Sequence, residues 1–203
     1  QHSLDKGSWN KCKEFNLWDK AMEAKKAGKI KYIGFSFHDS YDVFEEIIDS
    51  YDWDFCQIQL NYLDTDYQAG IKGLEKAASK NIGVVIMEPL KGGRLATGLP
   101  EDLLKKMEEY KVKRSPVEWA LRWLANRHEV SVILSGMSTF EQVEQNIRSC
   151  SSPDMAANKM SDEELSFITD LANEWKSRRQ IGCTGCNYCM PCPNDVFIPD
   201  NLS

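Results

Sequence analysis

The sequence has no run of about 18 apolar residues, so no segment can cross a bilayer as a helix. It shows no export signal near its start. It has no excess of positive charge: 25 Lys and Arg stand against 31 Asp and Glu, a net charge of −6 with a pI of about 5.2. That balance excludes the basic footprint of a nucleic-acid or membrane-surface protein. It also lacks the distributed cysteine pairs of a secreted disulfide scaffold. Cys12, Cys56 and Cys150 are scattered, whereas Cys183, Cys186, Cys189 and Cys192 crowd together near the end. Such a cluster without an export signal reads as a metal site in a reducing, cytoplasmic compartment.

What is present is an ordinary globular composition: 203 residues, 42% hydrophobic and 28% charged. One main core with a small appendage is expected. Helical and strand patterns alternate. A helix is predicted over 14–27, closed by Gly28, followed by a strand over 31–37 and a helix over 41–49 capped by Asp39 or Ser40. Strands follow over 55–62, 82–87 and 130–134, with helices over 68–80, 101–110, 116–125 and 139–147. Ser115 and Pro116 make a good helix start, and Ser161 with Glu164 opens a last helix running to about 175. Alternating β and α elements imply right-handed crossovers and a parallel sheet. Periodicity alone fits either a small open α/β sheet or part of a (β/α)8 barrel.

The tail reads C-x2-C-x2-C-x2-C-P from Cys183 to Pro193. Ferredoxin runs use C-x2-C-x2-C-x3-C-P, with the fourth cysteine serving another cluster, so the final gap here is one residue shorter. Structural zinc usually pairs two C-x2-C units across a long spacer. Three consecutive steps and a proline favour iron–sulfur; a zinc knuckle and a metal-free tail are the alternatives. Polar residues and glycines also collect where strands give way to helices, which is where parallel α/β folds bind ligands. Backbone amides at the start of the Thr139 helix could hold a phosphate.

Five stretches together resemble the aldo-keto reductases, in the branch with a C-terminal ferredoxin-like segment. They are Ile33-Gly34-Phe35-Ser36-Phe37-His38, Gln57-Ile58-Gln59-Leu60-Asn61-Tyr62-Leu63-Asp64, Met87-Glu88-Pro89-Leu90-Lys91-Gly92-Gly93, the stretch 133–146 and the cysteine run 183–193. The resemblance implies an α/β fold, the C-terminal half of a (β/α)8 TIM barrel plus a short iron–sulfur tail. It implies a barrel portion over 1–150, an extra helix over 151–180 and a partial ferredoxin-type segment over 181–203. The implied activity is hydride transfer between NADP(H) or NAD(H) and a small carbonyl or alcohol. A 4Fe-4S cluster on Cys183, Cys186, Cys189 and Cys192 would offer a contact for a redox partner.

The family's catalytic tetrad is Asp, Tyr, Lys and His. His2 matches the last of these, at the end of the fourth strand. The others belong to strands that this sequence does not contain, so the chain by itself is expected to be inactive. A non-catalytic electron-transfer or cofactor-binding module is the alternative. By resemblance, Ser36 and Gln57 contact the nicotinamide carboxamide, and Met87 falls where many members stack a Tyr on the ring. Glu88, Leu90 and Gly92 line the pyrophosphate loop. Gly136, Met137, Ser138 and Thr139 form the adenosine-phosphate loop. Gln142 replaces an Arg that commonly grips the 2′-phosphate, which weakens the case for NADPH over NADH. Gln145 and Asn146 match the pair at the adenine.

Overall fold

A computed structural model describes residues 2–178, 190–198 and 201. Among them, four strands form one sheet in the order β1 (Gly34–Ser36), β2 (Phe55–Gln59), β3 (Gly83–Met87) and β4 (Val130–Ile133), and each neighbouring pair is parallel. This is the parallel, sequential arrangement that the alternating pattern predicts. Helices α3 (Tyr41–Ser50), α4 (Gly70–Ser79), α7 (Pro116–Ala125) and α8 (Phe140–Cys150) follow the successive strands, with α5 (Arg94–Thr97) and α6 (Glu101–Glu109) inserted before α7. After α8 comes α9 (Asp162–Ser177).

Burial alternates along the strands because successive side chains point to opposite faces. Phe35, Cys56, Ile58, Val84 and Ile86 are fully buried, and the helices cover them. Gln57, Gln59, Val85 and Met87 lie on the other face and are half-buried. The sheet therefore has one sealed apolar face and one that remains partly open.

Several predicted boundaries are corrected. The helix predicted over 14–27 is α2 (Leu17–Lys26), and a further helix that the pattern did not announce, α1 (Lys6–Glu14), precedes it, with Asn16 between them in the left-handed conformation. Asp5 starts α1 through a capping box with Ser8. The strand over 31–37 shrinks to Gly34–Ser36, and that over 55–62 ends at Gln59, where Asn61 turns the chain. Of the two cap candidates for α3, Ser40 takes the N-cap position, while the Asp39 carboxylate accepts from the Lys6 and Ser40 amides. The α7 prediction matches residue for residue, with Ser115 and Glu118 forming the capping box.

α1 and α2 dock through an aromatic cluster. Trp18 lies edge-on to Trp53, ring centroids 4.6 Å apart, and 6.1 Å from Trp9. Phe35 joins from the sheet, 4.9 Å from Trp53. Edge-to-face contacts of this kind add to the burial of large apolar area. α9 is part of the same core, through Ile168, Leu171 and Ala172. α8 contributes no buried residue.

Candidate functional site

The residues before α1 lie against the β1 edge. Leu4 forms an isolated parallel bridge with Phe37; its amide donates to the Ser36 carbonyl at 2.7 Å, and its carbonyl accepts from His38 N at 2.9 Å. The Ser3 amide donates to Ser36 Oγ at 2.6 Å. His2 lies two residues before this bridge and is exposed.

Strand register then assembles the centre of the site. Ser36 is opposite Gln57, and Gln59 is opposite Met87. Gln57 Nε2 donates to Met87 Sδ at 3.3 Å. A hydroxyl, a carboxamide and a thioether thus lie across three adjacent strands, on the sheet's open face. Cys56, between them in sequence, points the opposite way into the core, where burial pushes its thiol up to about 12.

The β3 end carries a turn with several left-handed residues: Glu88, Lys91, Gly92 and Gly93. Glu88 and Lys91 gain no relief from a missing Cβ, so other contacts must hold them there. The Lys91 ammonium donates to both oxygens of Asp64, at 2.6 and 2.8 Å. Asn61 is 1% exposed. Its side-chain oxygen accepts from the amides of Leu63 and Asp64, and its Nδ2 donates to Asp64 Oδ2 at 3.1 Å and to the Glu88 carbonyl at 3.2 Å. The Glu88 carboxylate accepts from Gly92 N at 2.6 Å, and Leu90 packs on the core. Sequence reasoning gave roles to Glu88, Leu90 and Gly92 but missed Asn61, Asp64 and Lys91, which fix the turn. The signal available was Asn61-x-x-Asp64, a spacing at which an Asn side chain caps its own following amides.

Gly136, Met137, Ser138 and Thr139 form an exposed loop into α8. Thr139 caps α8, and Gln142 turns back so that its Oε1 accepts from the Ser138 and Thr139 amides, at 2.8 and 3.3 Å. Two of the amides expected to face a phosphate are thereby occupied. Asn146 Nδ2 donates to Ser135 Oγ at 2.9 Å, which ties α8 back to the loop, and Gln145 reaches Glu141.

Cys183, Cys186 and Cys189 lie outside the described residues. Cys192 is half-buried and free. Among the described residues, no three His, Cys, Asp or Glu side chains gather as a metal site. Also among them, no helix is long and apolar enough to cross a membrane.

The geometry matches known proteins at the level of family. The aldo/keto reductase family pattern matches residues 9–164, and the chain belongs to that family. The aldo-keto reductase AKR11C1 from Bacillus halodurans, holo form, superposes with a TM-score of 0.60 at 24% identity, covering 74% of this chain and 53% of that one. An aldo-keto reductase from Klebsiella pneumoniae, in complex with NADPH, gives 0.55 at 21% identity, covering 74% and 51%. The thermostable aldo-keto reductase Tm1743 in complex with the inhibitor epalrestat gives 0.54 at 21%, covering 74% and 52%. The chain thus spans about half the length of the solved structures it matches. No curated protein matches it. The parallel sheet and these neighbours are consistent with part of a TIM barrel.

Proposed function

We propose that this chain forms the nicotinamide-binding part of an oxidoreductase that moves hydride between NAD(P)H and a small carbonyl or alcohol. The observation that carries the reading is the row Ser36, Gln57 and Met87 on the open face at the strand ends. A carboxamide needs a donor and an acceptor in one plane, which the Gln57 amide and Ser36 hydroxyl supply. The Met87 thioether offers a polarizable surface for the ring. His2, a few residues before α1, would meet the carbonyl oxygen in this reading. Glu88, Leu90 and Gly92 would border the pyrophosphate, and Gly136, Met137, Ser138, Thr139, Gln145 and Asn146 the adenosine end. Gln142 brings no cation to that end, so NADH is expected to bind at least as well as NADPH.

The reading extends to the domains. Residues 1–150 form the barrel portion, 151–180 the added helix and 181–203 an iron–sulfur segment. Four thiols at this spacing have the donor chemistry of a 4Fe-4S cluster, held by Cys183, Cys186, Cys189 and Cys192, and a reducing cytoplasm would keep them competent. The cluster would supply one-electron chemistry or a structural clamp.

Titration of the chain with NADH and NADPH, followed by nicotinamide fluorescence, tests the site. Saturable binding that weakens about tenfold in Gln57→Ala is expected, the loss of one to two hydrogen bonds. Absence of saturable binding to either cofactor overturns the proposal. For the tail, anaerobic reconstitution should give a brown protein, and Cys186→Ser should lose the colour. One tightly held zinc without iron or sulfide would return the tail to a zinc knuckle.

A further inference from the structure

Away from the strand ends, a cavity of about 220 Å³ opens between α4, α7 and α9. Tyr62 borders it from the turn after β2, Ile71 from α4, Trp123 and Arg127 from the end of α7 and the loop beyond, and Ile168 and Lys176 from α9. Tyr62 is 3% exposed, and its hydroxyl is buried with no hydrogen-bond partner among the described residues. The Arg127 guanidinium lies over the Trp123 ring, 4.6 Å from its centroid. Its Nε is buried and likewise has no acceptor. Two residues from separate segments, each with an unsatisfied buried donor, thus border one small cavity. Buried donors nearly always find a partner, because leaving them unpaired is costly.

The charges around the cavity favour an acceptor of negative sign. Arg127 forms no ion pair among the described residues; Glu75 and Glu129 act on it only from a distance. Lys176 adds a second cation, shared at 3.7 Å with Asp66. The rest of the wall joins hydrocarbon, from Ile71, Ile168 and the Trp123 ring, to the polar side chains of Thr65, Thr169 and Asn173. At about 30 Å³ per water, the space equals roughly seven waters, enough for a short organic acid.

We infer that this cavity binds a small organic carboxylate, its oxygens accepting from the Tyr62 hydroxyl and Arg127 Nε–H and its hydrocarbon lying on Ile71 and Ile168. The site is independent of the nicotinamide reading, since it shares no residue with the strand-end row. It gives the chain a second ligand on its helical layer.

Isothermal titration calorimetry with butyrate on the whole chain tests this, with inorganic phosphate as the comparison anion. Saturable butyrate binding is expected, weakened about tenfold in Tyr62→Phe and in Arg127→Gln. Tyr62→Phe keeps the ring's volume and removes only the hydroxyl, so it remains informative if Arg127→Gln disturbs the stack on Trp123. Binding equal to the parent chain in a folded Tyr62→Phe variant, or no saturable butyrate signal, overturns the proposal. So does saturable binding of phosphate without butyrate, which would assign the cavity to an inorganic anion.

Discussion

Lys91 brings a full positive charge to the end of β3, and Asp64 takes it up through both carboxylate oxygens, with side-chain exposures of only 21% and 12%. Removing one partner of so shielded a pair leaves the other charge without compensation. Asp64→Asn is therefore expected to cost about 2 kcal/mol in urea unfolding and to loosen the turn over 88–93. If the proposed cofactor site is right, the same variant should also weaken NADH binding. Glu46 is a different kind of residue, partly exposed and serving three donors. Hydrogen bonds from Lys13, Lys6 and Trp9 hold its carboxyl at about 2, below the ordinary 4.5. The folded state thus favours the ionised form. That contribution is complete above about pH 4.5 and is lost as the pH falls from there towards 2. Acid unfolding followed by circular dichroism should show it, and Glu46→Gln should flatten the stability profile in that window. Glu46 was invisible in the sequence because its partners come from α1, an element the reading did not find.

At the scale of elements, end signals decided what was legible. α7 was read without error because Ser115, Pro116 and Glu118 sit at the start of a clear apolar pattern. α1 was missed because Gly7 and Ser8 in its first turn are weak helix formers, and tertiary burial of Trp9 and Cys12 makes up the difference. The strands were read too long because apolar residues such as Ile33 and Leu60 continue the pattern past Gly34 and Gln59, where the Asp54 and Asn61 side-chain oxygens instead accept the Ile33 and Leu63 amides. α8 poses the reverse case, an amphipathic helix that buries none of its residues against the described part of the chain. Phe140 is 79% exposed and Ile147 60%. Substituting either by Ser removes almost no buried area, so stability should move by no more than about 0.5 kcal/mol. A loss near that of a core residue would show that α8 packs against something in solution.

For the whole molecule, the order and direction of strands were readable because β-α alternation and handedness leave few choices. The proposed site rests on resemblance: Ser36 and Gln57 look like ordinary strand residues until register puts them side by side. The network of Asn61, Asp64 and Lys91 depends on a meeting of two loops that no local pattern announces. One edge of the sheet is β4, and beside it Val132, Leu134, Met137, Phe140 and Ile147 are all exposed. An open parallel edge next to an apolar patch is a template for association. Light scattering on this chain should give a mass above 23.2 kDa that rises with concentration, and the double variant Phe140→Ser, Ile147→Ser should lower it. A concentration-independent monomer would contradict this. The aromatic cluster of the α1–α2 pair has an optical consequence. Trp9, Trp18 and Trp53 are three of six tryptophans, and each lies near another of the set. Excitation absorbed by one can hop to its neighbours before it is emitted, and their transition dipoles are not aligned. The native protein's polarised emission should therefore be lower than its tumbling time alone dictates, and undocking α1 and α2 should raise it even while the sheet stays intact.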